Sequence, residues 1–223
     1  MTTLLTQLDS VLGELADEVR RSLVQVSVGQ SGSGSGVVIS EDGLIVTNAH
    51  VVSGNCHSGR ASPAQDLIVK LPNGSETIAR LLAKDDEQDV AILQVEKSEK
   101  ALPTLVPLKM GDSKALRAGQ WVMAMGHPWG VPGVAVAGIV IGAGPDLPES
   151  PGTGKEWIAV DLGLRPGHSG GPLVNHQGKL VGINTMMAGL EVGLAVPSNV
   201  IEEILAGVMA DSPADLEPVS KSE

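Results

Sequence analysis

Over the first twenty residues apolar side chains recur every three or four positions, at Leu4, Leu8, Leu12, Leu15 and Val19, with charged residues between them. That spacing predicts an amphipathic helix over 3–22. Its apolar stripe can pack on the body of the chain or serve self-association or a protein activator, and spacing alone does not separate these. From Leu23 the period shortens to that of strands: 23–28, 36–39, 44–47, 67–71, 76–84 and 90–95. Glu41-Asp42-Gly43 and Pro72-Asn73-Gly74 supply tight hairpin connections within this first antiparallel unit.

A proline-rich connector at 102–107 leads to a second series of strands at 121–125, 134–141, 157–161, 172–174, 180–185 and 191–196. Short strands punctuated by Gly and Pro predict an all-β body, either barrels or a sandwich. A short helix at 199–207 closes it, and the Asp-, Pro- and Ser-rich end reads as a disordered tail. The organisation is therefore a helix at 1–22, a body at 23–207 with units at about 23–101 and 108–198, and a tail at 208–223.

Composition adds four constraints. The 223 residues are 42% hydrophobic and 18% charged, enough apolar content for a sizeable core. With three Trp and no Phe or Tyr, that core is built from Val, Ile, Leu and Met. A formal charge of -11 argues against a nucleic-acid partner, which needs clustered Lys and Arg. Cys56 is the single cysteine, so no intrachain disulfide forms. The chain shows neither a leader pattern nor a long apolar run, which predicts no membrane partner and a cytoplasmic location, or a periplasmic or secreted one if a leader was removed.

Chemistry concentrates in three segments. Ser169, in Gly167-His168-Ser169-Gly170-Gly171-Pro172, is a serine among glycines whose amides are free to bind an oxyanion. Thr47-Asn48-Ala49-His50 and Asp89-Val90-Ala91-Ile92-Leu93 precede it and supply a base and an orienting carboxylate in the order His, Asp, Ser. Ser169 attacks a carbonyl, His50 takes and returns its proton, Asp89 holds the imidazole, and the amides of Gly167 and Ser169 form the oxyanion hole. These residues predict a serine endopeptidase. Cys56, His57, His127, His168 and His176 do not match a zinc signature, so no metal site is expected, and Cys56-His57 falls in a surface loop at 53–66. The glycines of 32–36 lack the Lys-Ser/Thr of a phosphate loop and precede a strand.

Together with Met125-Gly126-His127-Pro128-Trp129-Gly130, Gly138-Ile139-Val140, Val181-Gly182-Ile183-Asn184-Thr185 and Gly193-Leu194-Ala195-Val196-Pro197, these segments resemble the trypsin-like peptidases in their bacterial HtrA (Deg) branch, over about 23–203. The resemblance implies two six-stranded antiparallel β-barrels with the triad in the cleft between them, and peptide-bond hydrolysis without metal or cofactor. It implies that 163–168 and the loop from Met186 to Glu191 are regulatory. It places the primary specificity pocket at Gly163 and Leu164, faced by Met186 and Met187. None of these is acidic, so cleavage is expected after small or medium aliphatic residues of unfolded or flexible polypeptides. Asp161, the nearest carboxylate, is read as structural.

The chain also departs from the family pattern. His168 stands where members usually carry Asn. Members commonly add one or two C-terminal PDZ domains, whereas this sequence ends just after the peptidase body. Their trimers often use N-terminal aromatic residues, and none lies before Trp121, which argues against a trimer of that kind. Two alternatives stand beside an active endopeptidase engaged in protein quality control: a latent effector activated by a protein partner, and a binding or chaperone module with little turnover.

Overall fold

The computed structural model describes residues 3–29, 33–53, 67–96, 104–147, 154–189 and 191–211. After helix α1 (Leu4–Arg20) come strands β1 (Leu23–Val28), β2 (Ser33–Val38) and β3 (Leu44–Thr47), a single helical turn α2 (Ala49–Val52), then β4 (Leu67–Lys70), β5 (Glu76–Asp85) and β6 (Val90–Val95). The second half holds β7 (Trp121–Gly126), β8 (Val134–Gly144), β9 (Trp157–Asp161), β10 (Pro172–Asn175), β11 (Leu180–Met187), β12 (Val192–Pro197) and helix α3 (Ser198–Asp211). Each half closes on itself, in the order β1-β2-β3-β6-β5-β4 and β10-β11-β12-β9-β8-β7, with all named pairs antiparallel. The choice between barrels and a sandwich is thus settled in favour of two six-stranded barrels. Closure removes the unpaired edges that an open sheet would present.

Strand alternation explains how valine and leucine suffice. Along β1, Val24, Val26 and Val28 point into the first barrel. In β2 and β3, the paired Val38 and Ile45 fill the same interior, whereas the paired Val37 and Val46 face the other way. The second barrel repeats the rule: Val122, Ala124, Ile158 and Val160 fill its interior, and Met123, Met125, Trp157 and Ala159 point out of it. The outward residues of both barrels join in one shared core, with Leu15, Ala16 and Val19 of α1 and Val200 and Ile201 of α3 laid against it. Strands buried on both faces read as near-continuous apolar runs, as in β6.

The turn glycines perform as the hairpin signals require, Gly43 at φ 90° and Gly74 at φ 84°. Helix α1 begins at a Thr3 cap and buries only its C-terminal half; Leu4, Leu5, Leu8 and Val11 are exposed. Helix α3 corrects one boundary, running to Asp211 rather than ending at 207, so 208–211 belong to a helix and not to a tail. Its apolar positions Ile204, Leu205 and Val208 continue to pack on the shared core, which favours the extra turn. The rest of the expected tail, 212–223, lies outside the described residues, as do Cys56, His57 and the loop at 54–66.

Candidate active site

His50 is carried by α2, directly after β3. Asn48 precedes that turn in extended conformation, and its buried side-chain amide donates to the Asp89 carbonyl at 2.9 Å. Asp89 sits before β6 with φ 56°, a left-handed conformation that Asp tolerates better than most residues. The turn aims its carboxylate at His50. Nδ1 of His50 lies 3.0 and 2.9 Å from the two carboxylate oxygens, and the His50 amide donates to Oδ1 at 3.0 Å. With an ionised carboxylate this arrangement puts the imidazole proton on Nδ1 and leaves Nε2 as the free base.

The structure adds a residue absent from the sequence-based site. Thr185 Oγ1 donates to Asp89 Oδ2 at 2.5 Å, while its carbonyl accepts from Ser169 Oγ at 2.9 Å. The β11–β12 register shifts between Asn184 and Met186, leaving Thr185 without a cross-strand partner and its carbonyl open to the serine. Thr185 thus joins His50, Asp89 and Ser169 in one network. Burial pushes the Asp89 carboxyl up, but the hydrogen bonds from His50 and Thr185, with the charge of the imidazole, outweigh it and hold the group below the ordinary carboxylate range. Among the described residues no hydrogen bond joins His50 to Ser169; the hydroxyl is turned towards Thr185.

The loop that carries Ser169 is seated on the backbone of both barrels. The Ser169 carbonyl accepts from the Ser35 amide of β2 at 2.8 Å, and the Gly170 amide donates to the Asn184 carbonyl at 2.9 Å. Asn184, fully buried, donates from its side chain to the carbonyls of Gly171 and Pro172. Contact is so close that a Cβ on Gly170 would lie 2.0 Å from the Ser35 carbonyl oxygen. Gly34 is wedged between Val51 of α2 and the Ser169 carbonyl, so the histidine turn and the serine loop meet across β2. Gly167 has φ 104°, and the amides of Gly167 and Ser169 donate to no partner among the described residues. Two free amides beside a serine hydroxyl are the components that an oxyanion hole would require.

His168 is fully buried behind this loop, where the Arg165 amide donates to its Nδ1 at 3.1 Å and Nε2 has no partner among the described residues. Burial, together with the charge of Arg165, lowers its affinity for a proton despite the backbone contact to Arg165 that favours the charged form. The Arg165 guanidinium sits 5.9 Å from the ring centroid of the exposed Trp129, a cation–π contact.

At the expected specificity pocket, the Leu164 amide points to Met187 Sδ at 3.2 Å, which brings those two segments together. Met186 and Met187 are partly exposed, Gly163 faces open space, and Leu164 packs against Gly193. Among the described residues no group of three or more His, Cys, Asp and Glu is arranged to hold a metal ion.

Comparison with known proteins defines the class first: a family model described as a trypsin-like peptidase domain matches residues 34–183. A probable periplasmic serine endoprotease DegP-like from Pseudomonas fulva (strain 12-X) is 40% identical over 176 residues, or 77% of this chain and 33% of that protein. A protein of the same name from Halomonas elongata is 39% identical over 176 residues, or 77% of this chain and 34% of its own length. Among solved structures, the HtrA-type protease AlgW with tripeptide matches with TM-score 0.74 and 29% identity, covering 88% of this chain and 63% of that one. The chain belongs to the trypsin-like peptidase family, with relatives of the HtrA/DegP type. It spans about a third of the length of the curated relatives it matches.

Proposed function

We propose that the chain is a serine endopeptidase in which Ser169 is the nucleophile, His50 the general base and acid, and Asp89 the residue that orients His50. The observation that carries this reading is the network linking all three through Thr185, beside the unpaired amides of Gly167 and Ser169. In the reaction Ser169 Oγ rotates from Thr185 to His50, gives its proton to Nε2 and bonds to the substrate carbonyl carbon. The developing oxyanion is received by the amides of Gly167 and Ser169. His50 then protonates the leaving amine, and water reverses the sequence on the acyl-enzyme.

The substrates are polypeptides in flexible or unfolded form, cut after small or medium aliphatic residues. Gly163, Leu164, Met186 and Met187 offer no carboxylate to a Lys or Arg side chain, which supports that preference. Peptide mapping of a casein digest tests both parts. Fragments should end mainly in Val, Ala or Leu, and Ser169→Ala should lower turnover roughly 10⁶-fold. Predominant cleavage after Lys or Arg would overturn the pocket assignment, and an undiminished digest by Ser169→Ala would overturn the nucleophile.

Two observations favour a second reading, a latent peptidase. The hydroxyl of Ser169 is engaged by Thr185 rather than His50, and the exposed apolar half of α1 offers an activator or a second copy a place to dock. This reading predicts negligible basal turnover that a partner restores. As to compartment, the relatives are named periplasmic, and among the described residues no helix is long and apolar enough to cross a membrane.

A further inference from the structure

We propose that Ser35, on the first barrel, is a positioning residue for the peptidase reaction, gripping the Gly167 and Ser169 carbonyls and thereby fixing the direction of the oxyanion-binding amides. This rests on the assignment of Ser169 as nucleophile. Ser35 is fully buried. Its amide donates to the Ser169 carbonyl at 2.8 Å and its hydroxyl donates to the Gly167 carbonyl at 2.7 Å. Each contact fixes one peptide plane, 167–168 and 169–170. The Ser169 amide belongs to the plane between them, and the Gly167 amide immediately precedes the first. A peptide bracketed in this way cannot turn without breaking one of the two bonds.

His127 completes the clamp from the second barrel. Ser35 Oγ has one proton, and it is committed to Gly167. The His127 Nδ1, 3.0 Å from that oxygen, is therefore the donor, which sets the tautomer of the imidazole. The His127 amide adds contacts of 2.9 Å to Ser35 Oγ and 3.0 Å to the Gly167 carbonyl. Thr47 Oγ1, three residues before His50, donates to the Ser35 carbonyl at 2.6 Å and ties the clamp to the strand that leads into the helical turn carrying the base.

The surrounding backbone is shaped to this contact. A Cβ on Gly126 would lie 2.8 Å from the Gly167 carbonyl oxygen, and one on Gly167 would lie 2.5 Å from the His127 carbonyl oxygen. Side chains there would push the loop away from Ser35. The oxyanion hole of the second barrel is therefore held in register by the first, and its preorganisation depends on how the two barrels sit together.

The test compares the intact chain with Ser35→Ala, His127→Ala and His127→Asn, the last retaining a short donor toward Ser35. Turnover of a peptide substrate is measured together with hydrogen exchange of the backbone over 163–171. Ser35→Ala and His127→Ala should lower kcat about tenfold, the order expected for one lost hydrogen bond, with KM within about twofold. Both should speed exchange in the loop while leaving 121–125 unchanged, and His127→Asn should lie closer to the intact chain. Loop exchange unaltered in Ser35→Ala, or a change in KM alone, would overturn the proposal. The exchange measurement reads the clamp even if the intact chain shows no turnover dependent on Ser169, a result that would count against the peptidase assignment instead. If Ser35→Ala does not fold, the two His127 variants decide: equal impairment of both overturns the clamp.

Discussion

Thr185 is the residue on which the geometry of the site turns, because its hydroxyl serves Asp89 while its carbonyl holds Ser169. Thr185→Val keeps the shape and removes only the donor to the carboxylate. It should lower kcat about tenfold with KM nearly unchanged, and an unaltered kcat in steady-state kinetics would remove Thr185 from the positioning of Asp89. His127 makes a separate prediction about pH. Burial, with the nearby charge of Lys70, lowers its pKa to about 4 from an ordinary 6.5. Between those values the native state binds fewer protons than the unfolded chain. The contribution to stability is therefore complete above about pH 6.5, declines as pH falls toward 4, and is level below. The decline amounts to about 3 kcal/mol over that window. Urea unfolding at pH 7 and pH 4.5 should show a smaller drop for His127→Asn than for the intact chain, and equal drops would contradict the assignment. The buried His168 acts in the same direction.

At the scale of elements, α1 is two helices in energetic terms. Leu15 is 9% exposed and anchored in the shared core, whereas Leu5 is 76% exposed. Leu15→Ala should therefore cost about 2–3 kcal/mol in denaturant unfolding and Leu5→Ala close to nothing, with equal losses contradicting a half-docked helix. The apolar spacing of α1 was legible in sequence, but not which half is covered, since burial depends on how far the body beneath it extends. The strands were legible for a similar reason: alternation in β1 and double-sided burial in β6 leave distinct patterns of Val, Ile and Leu. The helical turn at Ala49–Val52 left no such mark, being one turn long and half β-branched. Ser169, His50 and Asp89 stood out through their glycine-rich or ordered surroundings. Thr185 and Ser35 did not, because their roles arise from contacts to residues 96 and 132 positions away along the chain, which no local pattern encodes.

For the molecule as a whole, the shared core is decisive. Val37, Val46 and Ile92 of the first barrel pack in the same cluster as Met123, Trp157 and Leu194 of the second, with both terminal helices laid against it. Neither barrel can unfold alone without exposing this surface to water. Calorimetry should therefore show one cooperative transition, matched by the fluorescence of Trp121 and the buried Trp157, both packed on the shared core, in a Trp129→Phe background, and two resolved transitions would contradict a single unit. The same interface brings the serine loop against β2 and the histidine turn, so the proposed catalytic competence is a property of the assembled pair of barrels. The most direct test of that competence is to treat the full chain with a fluorophosphonate and locate the adduct by mass spectrometry. A single adduct on Ser169, strongly reduced in His50→Ala, is expected; an adduct elsewhere, or equal labelling of Ser169 without His50, would contradict the assignment of Ser169 as nucleophile and His50 as its base.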